Sequence, residues 1–337
     1  MHLFAPPQSN LNPARAFSAG QVVRERLQQA MIGRDEVIEL LIVALLADGH
    51  VLLEDYPGSG KTVLARALGN SIAPDAGDPS VPFRRIQFTP DLLPSDITGV
   101  NVFDADRATF SFRPGPLFAH VVLADEINRT PPKVQAAMLE AMAEKQVTVD
   151  GSCYRLDDLF LVIATQNPRD SAGTYPLPTP QLDRFLFKIR MAHIGRESEL
   201  EVLEQVQRGM AGPAVAQVTR PEILAARRAI REGVHVSRLV NECLVDTANL
   251  LRSHPAVEQG VSTRSLVLMI PALQSAAALA GRDYVSAEDI ERLAPYVLCH
   301  RLVLNRAGAD AGAVVRECLE RPLERLARAT LSVRRAS

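Results

Sequence analysis

Five short runs of mostly apolar residues mark the first 190 residues of the chain. They cover residues 50–54, 83–88, 120–125, 160–165 and 186–190. Their apolar positions are nearly continuous rather than strictly alternating, which is typical of strands that are covered on both faces of a sheet. The pattern therefore predicts five buried strands.

Helical periodicity appears before and between these runs. Apolar residues recur at helical spacing over residues 21–48, with a break at Gly33, and this predicts two helices. Two further helices are predicted over 62–73 and 131–144, the second with Thr130 as N-cap and proline in its first turn. Strands that alternate with helices indicate an α/β domain with a mainly parallel sheet.

The strand pattern ends near residue 194, and helical signals continue beyond it. Thr219 with Glu222 and Ser286 with Asp289 form capping boxes, while Pro271 lies inside a helical run and is expected to kink it. These signals predict a helical C-terminal domain. The predicted organisation is a flexible arm over 1–18, an α/β domain over 19–193, a linker region over 194–213 and a helical domain over 214–337.

Composition narrows the class of protein. With 47% hydrophobic and 23% charged residues, the 337-residue chain resembles an ordinary globular protein. Its net charge of −2 argues against a nucleic-acid partner. The four cysteines are far apart, no signal peptide is apparent, and no apolar stretch is long enough for a spanning helix. We therefore expect a cytoplasmic protein without stable membrane insertion.

The most informative segment joins a predicted strand to a predicted helix through a glycine-containing turn. It reads Asp55-Tyr56-Pro57-Gly58-Ser59-Gly60-Lys61-Thr62-Val63. Glycines allow backbone N–H groups to close around phosphate oxygens, and a helix N-terminus adds positive potential. Lys61 is expected to reach the β- and γ-phosphates, and Thr62 to ligate Mg²⁺. The full P-loop pattern has glycine where this chain has Asp55, and the alternative is a glycine-rich turn that binds nothing.

Polar residues also follow other predicted strands. Asp125 ends the third strand and is expected to hold the water shell of Mg²⁺, while Glu126 would orient and deprotonate an attacking water. A polar amide after the fourth strand, at Gln166 or Asn167, could sense the γ-phosphate, although a plain turn is the alternative. Arg184 either pairs with the preceding aspartate or serves a neighbouring subunit as an arginine finger. The residues alone leave both possibilities open.

Longer stretches resemble the MoxR branch of the AAA+ ATPases. They are FTPDLLPSDITG at 88–99, RPGPLF at 113–118, ADEINR at 124–129, ATQNP at 164–168, GTYPLP at 173–178 and LDRF at 182–185. The likeness extends from about residue 33 to about residue 304. It implies an α/β P-loop AAA+ domain, with a parallel five-stranded sheet flanked by helices, followed by an α-helical lid domain.

The resemblance also implies roles for particular residues. Asn167 would be sensor 1, Arg184 the arginine finger and Arg264 the sensor 2 of the lid. Residues 97–114 and 148–154 would form hairpins that face a ring pore or a partner surface. Family members bind ATP and Mg²⁺, assemble as rings that are usually hexamers, and act as chaperone-like activators. Their typical partners carry von Willebrand factor A domains.

Three alternatives remain at this stage. The chain could be the motor subunit of a metal-chelatase complex, since that branch shares the inserted hairpins. A nucleic-acid motor is disfavoured by the acidic balance and by an aromatic content of only 5%. A non-catalytic, nucleotide-gated scaffold belongs to a different class, and Lys61, Asp125, Glu126 and Arg184 weigh against it.

Overall fold

The computed structural model describes residues 13–54, 58–74, 80–106, 108–167, 173–208, 216–306 and 308–336. In these ranges the helices are α1 (Pro13–Ala30), α2 (Asp35–Leu46), α3 (Lys61–Asn70), α4 (Pro94–Thr98), α5 (Pro132–Glu144), α6 (Thr179–Leu182), α7 (Arg196–Arg208), α8 (Arg220–Gly233), α9 (Arg238–Ser253), α10 (Thr263–Leu279), α11 (Ala287–Leu298) and α12 (Ala311–Ala336). The strands are β1 (His50–Glu54), β2 (Ile72–Ala73), β3 (Val81–Gln87), β4 (Gly99–Asp104), β5 (Thr109–Pro114), β6 (Ala119–Asp125), β7 (Gln146–Val149), β8 (Ser152–Arg155), β9 (Leu161–Gln166), β10 (Phe185–Arg190), β11 (Val218–Thr219), β12 (Val257–Gln259) and β13 (Val303–Leu304).

The five predicted strands form one parallel sheet in the order β10-β1-β9-β6-β3. Each strand begins and ends within two residues of its predicted bounds, so this part of the prediction is confirmed. The register pairs Glu54 with Gln166 and Gln87 with Asp125. Because carboxyl ends of parallel strands lie at one edge, these four polar residues meet there.

The sheet packs against helices on both faces. Successive side chains of a strand point to opposite faces, and the central strands follow this rule. On β1, Val51 and Leu53 belong to one core cluster, which also contains residues of α1, α2, α3 and the C-terminal helices. Leu52 belongs to a second cluster with α5, where Met138 is fully buried. The predicted α/β domain with flanking helices is therefore confirmed.

Two antiparallel hairpins project from the α/β region. β4 pairs with β5, and β7 pairs with β8, as the family resemblance implied for these two segments. Phe112 stacks on Tyr154 with ring centroids 3.7 Å apart, and Asn101 donates to Asp150 at 2.8 Å. These contacts join the two hairpins into one unit.

The region after β10 is helical, and both predicted capping boxes form. Glu222 accepts from the backbone N–H of Thr219 at 2.7 Å, and Asp289 accepts from that of Ser286 at 2.9 Å. Helix α10 continues through Pro271, which removes one backbone donor from its interior. None of the helices in the described ranges is long and apolar enough to cross a bilayer.

Two predictions about irregular segments need correction. Residues 13–18 were assigned to a flexible arm, but they form the start of α1, since proline is tolerated in the first turn of a helix and alanine and arginine favour helix. Residues 196–208 were assigned to a linker, but they form α7, whose first turn carries two favourably placed glutamates. Residues 1–12 and 209–213 lie outside the described residues. The predicted domain boundaries remain predictions.

A polar cluster lies at the amino ends of the strands, opposite the carboxyl ends where Glu54 lies. Asp48 accepts from Lys145 Nζ at 2.6 Å and from Arg227 Nη1 at 2.7 Å. Although burial favours its neutral form, these two cations hold the pKa of Asp48 below its usual range. Nearby, His50 Nδ1 accepts from the Val162 N–H at 3.0 Å, and burial lowers the pKa of His50 to about 4.

Candidate functional site

The glycine-containing turn after β1 has a backbone suited to surrounding an anion. Gly58 and Gly60 have φ values of 89° and 88°, a conformation that favours glycine. Gly60 is the N-cap of α3, which has no side-chain cap, and Ser59 Oγ is buried without a hydrogen-bond partner among the described residues. Lys61 and Thr62 open the helix and are half-buried. Asp55, Tyr56 and Pro57 lie outside the described residues.

A cavity of about 590 Å³ opens beside this turn. Its walls come from the α1–α2 connection, the turn itself, the segment after β10 and helix α7. The lining residues are Ala30, Met31, Ile32, Arg34, Gly58, Ser59, Gly60, Val63, Ala192, His193, Ile194, Glu199, Val202, Leu203, Gln205 and Val206. Most of these side chains are apolar, and the volume lies within the range of small-molecule sites. The cavity can therefore take a flat organic ring next to an anion-binding loop.

Asp125 ends β6 at the same edge of the sheet, with its carboxylate only 12% exposed. Thr165 Oγ1 donates to Oδ1 at 2.7 Å. Arg85, on the neighbouring β3, donates to Oδ2 from Nη2 at 2.7 Å and from Nε at 3.1 Å. The candidate Mg²⁺ ligand is thus oriented by one strand neighbour and paired with a cation from the other.

Glu126 follows Asp125 in a left-handed conformation, with a φ of 58°. Its backbone N–H donates to Thr165 Oγ1 at 2.9 Å. Its Oε2 accepts from Gln87 Nε2 at 3.0 Å and lies 3.1 Å from Arg129 Nε. The Gln87 amide and the Arg129 guanidinium therefore hold the carboxylate in one orientation at the carboxyl ends of the strands.

Two more polar groups complete this edge. Glu54 Oε1 accepts from Gln166 Nε2 at 3.0 Å and lies 2.9 Å from Lys188 Nζ. Asn167 follows β9 directly and is half-buried. The structure therefore gathers the turn at 58–62, Asp125 and Asn167 around the carboxyl ends of adjacent strands.

Arg184 lies at the opposite end of the sheet's strands, where their amino ends are. It directly precedes β10, whose first residue is in register with His50 at the start of β1. Five residues of extended strand, about 16 Å, therefore separate it from the end of β1. Within the described residues its side chain has no hydrogen bond or ion pair, and its Nε is buried without a partner.

Asp183 pairs with Arg301 rather than with Arg184, which excludes one of the two possibilities that the sequence left open and leaves the arginine finger as a prediction. Its Oδ1 accepts from Arg301 Nε at 2.6 Å. Arg264 lies in the first turn of α10 and is exposed. No hydrogen bond or ion pair in the described part of the chain joins Arg184 or Arg264 to Lys61, Asp125 or Glu126.

Arg85, Gln87 and Arg129 were not predicted from the sequence. A signal was present for Arg85, because Arg84 and Arg85 interrupt a run that otherwise suggests a strand buried on both faces. In the structure β3 is an outer strand on which both arginines are exposed, so the prediction that it is buried on both faces was wrong, and Arg85 meets Asp125 because β3 lies beside β6.

This combination of fold and site defines a P-loop nucleotide-binding domain of the AAA+ class. The family model of the ATPase family associated with various cellular activities (AAA) matches residues 50–187, and the AAA lid domain model matches residues 249–318. The chain belongs to the MoxR family of AAA+ ATPases. It is 38% identical to Chaperone MoxR1 of Mycobacterium tuberculosis over 82% of this chain and 74% of that protein.

Two other comparisons cover nearly the whole chain. It is 46% identical to the uncharacterized protein YeaC of Bacillus subtilis, over 88% of this chain and 91% of that protein. A crystal structure from Cytophaga hutchinsonii, of a protein described only as a candidate ATPase, has a TM-score of 0.82 and 34% identity. The likeness covers 91% of this chain and 95% of that one. These matches therefore support the MoxR family assignment and the two-part fold over most of the chain.

Proposed function

We propose that this protein binds ATP with Mg²⁺, hydrolyses it in a homo-oligomeric ring, most simply a hexamer, and uses the cycle to remodel a partner protein. In this proposal residues 55–63 hold the phosphates, with Lys61 as the cation nearest the β- and γ-phosphates. Thr62 and Asp125 hold Mg²⁺, Glu126 orients and deprotonates water, and Asn167 positions it. Arg264 contacts the phosphates from the lid.

The residues present fit such a ligand. Ser59 Oγ has no partner in the described residues and is open to a phosphate oxygen, and the φ of 88° at Gly60 is one that an L side chain rarely adopts. Mg²⁺ is usually bound by one or two protein oxygens together with phosphates, which matches the donors Thr62 and Asp125. When bound, Mg²⁺ neutralises charge on the phosphates.

The observation that carries the ring is the position of Arg184. Its guanidinium is unpaired within the described residues, and it lies about 16 Å along the sheet from the edge where the candidate phosphate loop begins. It cannot reach its own subunit's site from there. An arginine so placed supports a role on the nucleotide of a neighbouring subunit, where such a charge contributes about 10³–10⁵ in rate.

The test compares ATP turnover of the wild type, Glu126→Gln and Arg184→Ala, with assembly followed by light scattering. We expect both variants to bind ATP and to lose turnover. Arg228→Ala is the matched control, because Arg228 is an exposed arginine without a partner in the described residues. Its turnover should equal that of the wild type.

A mixing experiment tests the action in trans. Glu126→Gln subunits carry an intact Arg184, and Arg184→Ala subunits carry an intact Glu126, so mixed rings should recover turnover that neither variant has alone. Absence of recovery in assembled mixed rings would contradict the ring mechanism. Absence of turnover in an assembled wild-type ring would favour a nucleotide-gated scaffold.

The joined hairpins support contact with a partner protein. Phe103 and Phe110 are 53% and 72% exposed, with ring centroids 5.2 Å apart, on a unit held by the Phe112–Tyr154 stack. Exposed aromatic pairs favour protein contact over solvent. By family resemblance the partner is a von Willebrand factor A domain protein. The cytoplasmic location of this protein remains a prediction from composition.

Stimulation of turnover by a purified von Willebrand factor A domain checks this part. Phe110→Ser should reduce the stimulation at least fivefold while leaving basal turnover unchanged. Equal stimulation of the variant would remove the hairpins from partner binding. Stimulation only by a porphyrin-binding subunit would instead support a metal-chelatase motor.

A further inference from the structure

The segment that carries Arg184 is held from the C-terminal helical region mainly by Arg301, with single contacts from His300 and Ser265. Arg301 lies in a short 3-10 turn (Cys299–Arg301) after α11, and its side chain is only 2% exposed. Its Nε donates to Asp183 Oδ1 at 2.6 Å. Its Nη2 donates to the carbonyl oxygens of Asp183 at 3.2 Å and Phe185 at 2.8 Å.

These acceptors lie immediately before and after Arg184. One guanidinium therefore fixes the carbonyls on both sides of that residue and the carboxylate that precedes it. A third carbonyl, that of Leu186, lies 3.4 Å from Nη1. Because the guanidinium is planar and its donors form a rigid fork, it sets the direction of the backbone at Arg184 as a flexible lysine cannot.

The same aspartate also contacts the lid. Asp183 Oδ1 accepts from Ser265 Oγ at 3.4 Å, and Ser265 follows Arg264 in the first turn of α10. Burial lowers the pKa of the Arg301 guanidinium, the Asp183 carboxylate opposes this, and the positive charge of Arg264 adds to the lowering. Asp183 is thus the point where α10, the 3-10 turn and the Arg184 segment meet.

We propose that Arg301 is a positioning residue, which acts through its ion pair with Asp183 to hold Arg184 in the orientation that a neighbouring subunit's nucleotide requires. This inference rests on the proposed function, because it needs Arg184 to act in trans. Arg301 and Asp183 themselves contact no nucleotide. Their removal changes the neighbour's catalysis and leaves nucleotide binding in their own subunit intact.

The expected effect is smaller than loss of Arg184 itself. A misplacement of about 1 Å costs about 10²-fold in rate, whereas the arginine finger is worth about 10³–10⁵. We therefore expect Arg301→Gln to lower turnover about 10- to 100-fold at unchanged affinity for ATP. Arg301→Lys keeps the charge but not the fork and should fall between Arg301→Gln and the wild type.

Mixed rings separate positioning in trans from a structural role. Arg301→Gln subunits retain Glu126, so Glu126→Gln subunits beside them supply a correctly held Arg184. We expect such 1:1 mixtures to exceed the turnover of either parent at least twofold, because about a quarter of their sites combine an intact Glu126 with a correctly held Arg184. Asp183→Asn, which keeps the side-chain shape and removes the charge, should behave in the same way, and it replaces Arg301→Gln if that variant does not assemble.

Arg282→Gln is the matched control. Arg282 forms a two-bond ion pair with Asp289 in the same helical region, at 2.7 and 2.6 Å, without touching residues 183–186. Its turnover should stay within twofold of the wild type.

The outcomes distinguish this inference from the proposed function. Two results would overturn the positioning role, provided that mixtures of Glu126→Gln with Arg184→Ala subunits recover turnover. One is wild-type turnover of Asp183→Asn. The other is a loss of turnover in Arg301→Gln or Asp183→Asn that added Glu126→Gln subunits do not restore. If mixtures with Arg184→Ala also fail to recover, the ring mechanism itself is wrong.

Discussion

The ion pair between Arg85 and Asp125 leads to a quantitative prediction about Mg²⁺. Both oxygens of Asp125 already accept hydrogen bonds, one from Thr165 and the other from Arg85. A metal ion that uses this carboxylate must share it with the guanidinium or displace it. Replacing Arg85 with glutamine should therefore lower the Mg²⁺ concentration that supports half-maximal turnover.

The magnitude follows from the exposure of the two partners. Asp125 is 12% exposed, but Arg85 is 45% exposed, so solvent screens the pair substantially. We therefore take about 1 kcal/mol, the upper end for exposed ion pairs. Since 1.4 kcal/mol is a factor of ten, this corresponds to about a fivefold lower half-saturating concentration of free Mg²⁺ for Arg85→Gln.

The assay is ATP turnover at saturating ATP over a series of free Mg²⁺ concentrations. Arg84→Gln is the control, because Arg84 is the adjacent residue on β3, has the same charge, is exposed and points to the opposite face of the strand. An unchanged Mg²⁺ dependence of Arg85→Gln would refute the competition. So would an equal shift in Arg84→Gln, since that would reflect only the lost net charge.

Three further predictions concern the loop and the core. Gly60→Ala should weaken ATP binding at least tenfold by fluorescence titration, because its φ of 88° strains any L side chain and shifts the loop; unchanged affinity would contradict this. Asp48→Asn should cost about 3 kcal/mol of unfolding free energy in urea, since Arg227 stays buried without its carboxylate, whereas Asp246→Asn, in an exposed pair, should cost under about 1. The pKa of His50 is about 4 in the folded protein, against 6.5 for an ordinary histidine. Its neutral form therefore contributes stability above pH 6.5 that is lost as the pH falls toward 4, a loss of about 3 kcal/mol. This loss should disappear in His50→Gln, and unfolding free energies of wild type and variant that fall in parallel with pH would disprove it.

The sequence predicts those parts of the fold and site that depend on local pattern. The strands β1, β6 and β9 are buried on both faces, so their apolar runs were recognisable without knowledge of their neighbours. The glycine turn and the Asp125–Glu126 pair were also recognisable, because each lies at the end of one of these apolar runs. The edge of the sheet that holds them follows from parallel pairing alone.

Contacts that depend on strand order or on distant helices could not be predicted. Arg85 and Asp125 are 40 residues apart, and they meet only because β3 lies beside β6. Asp183 and Arg301 are 118 residues apart, and no sequence pattern around either residue indicates that the two form a pair. Helix α7 was missed because its apolar residues, such as Leu203 and Val206, are exposed and form no core stripe.

The charges at the carboxyl and amino ends of the strands support the proposed ring. At the carboxyl edge, three carboxylates are each paired within the described chain: Asp125 with Arg85, Glu126 with Arg129 and Glu54 with Lys188. At the other edge Arg184 has no partner in the described residues, although its Nε is buried. A partly buried charge without a partner is costly, and a polyanionic nucleotide is the kind of group that offsets the cost. Because the strand length separates Arg184 from its own site, the proposed ring supplies that nucleotide from the neighbouring subunit.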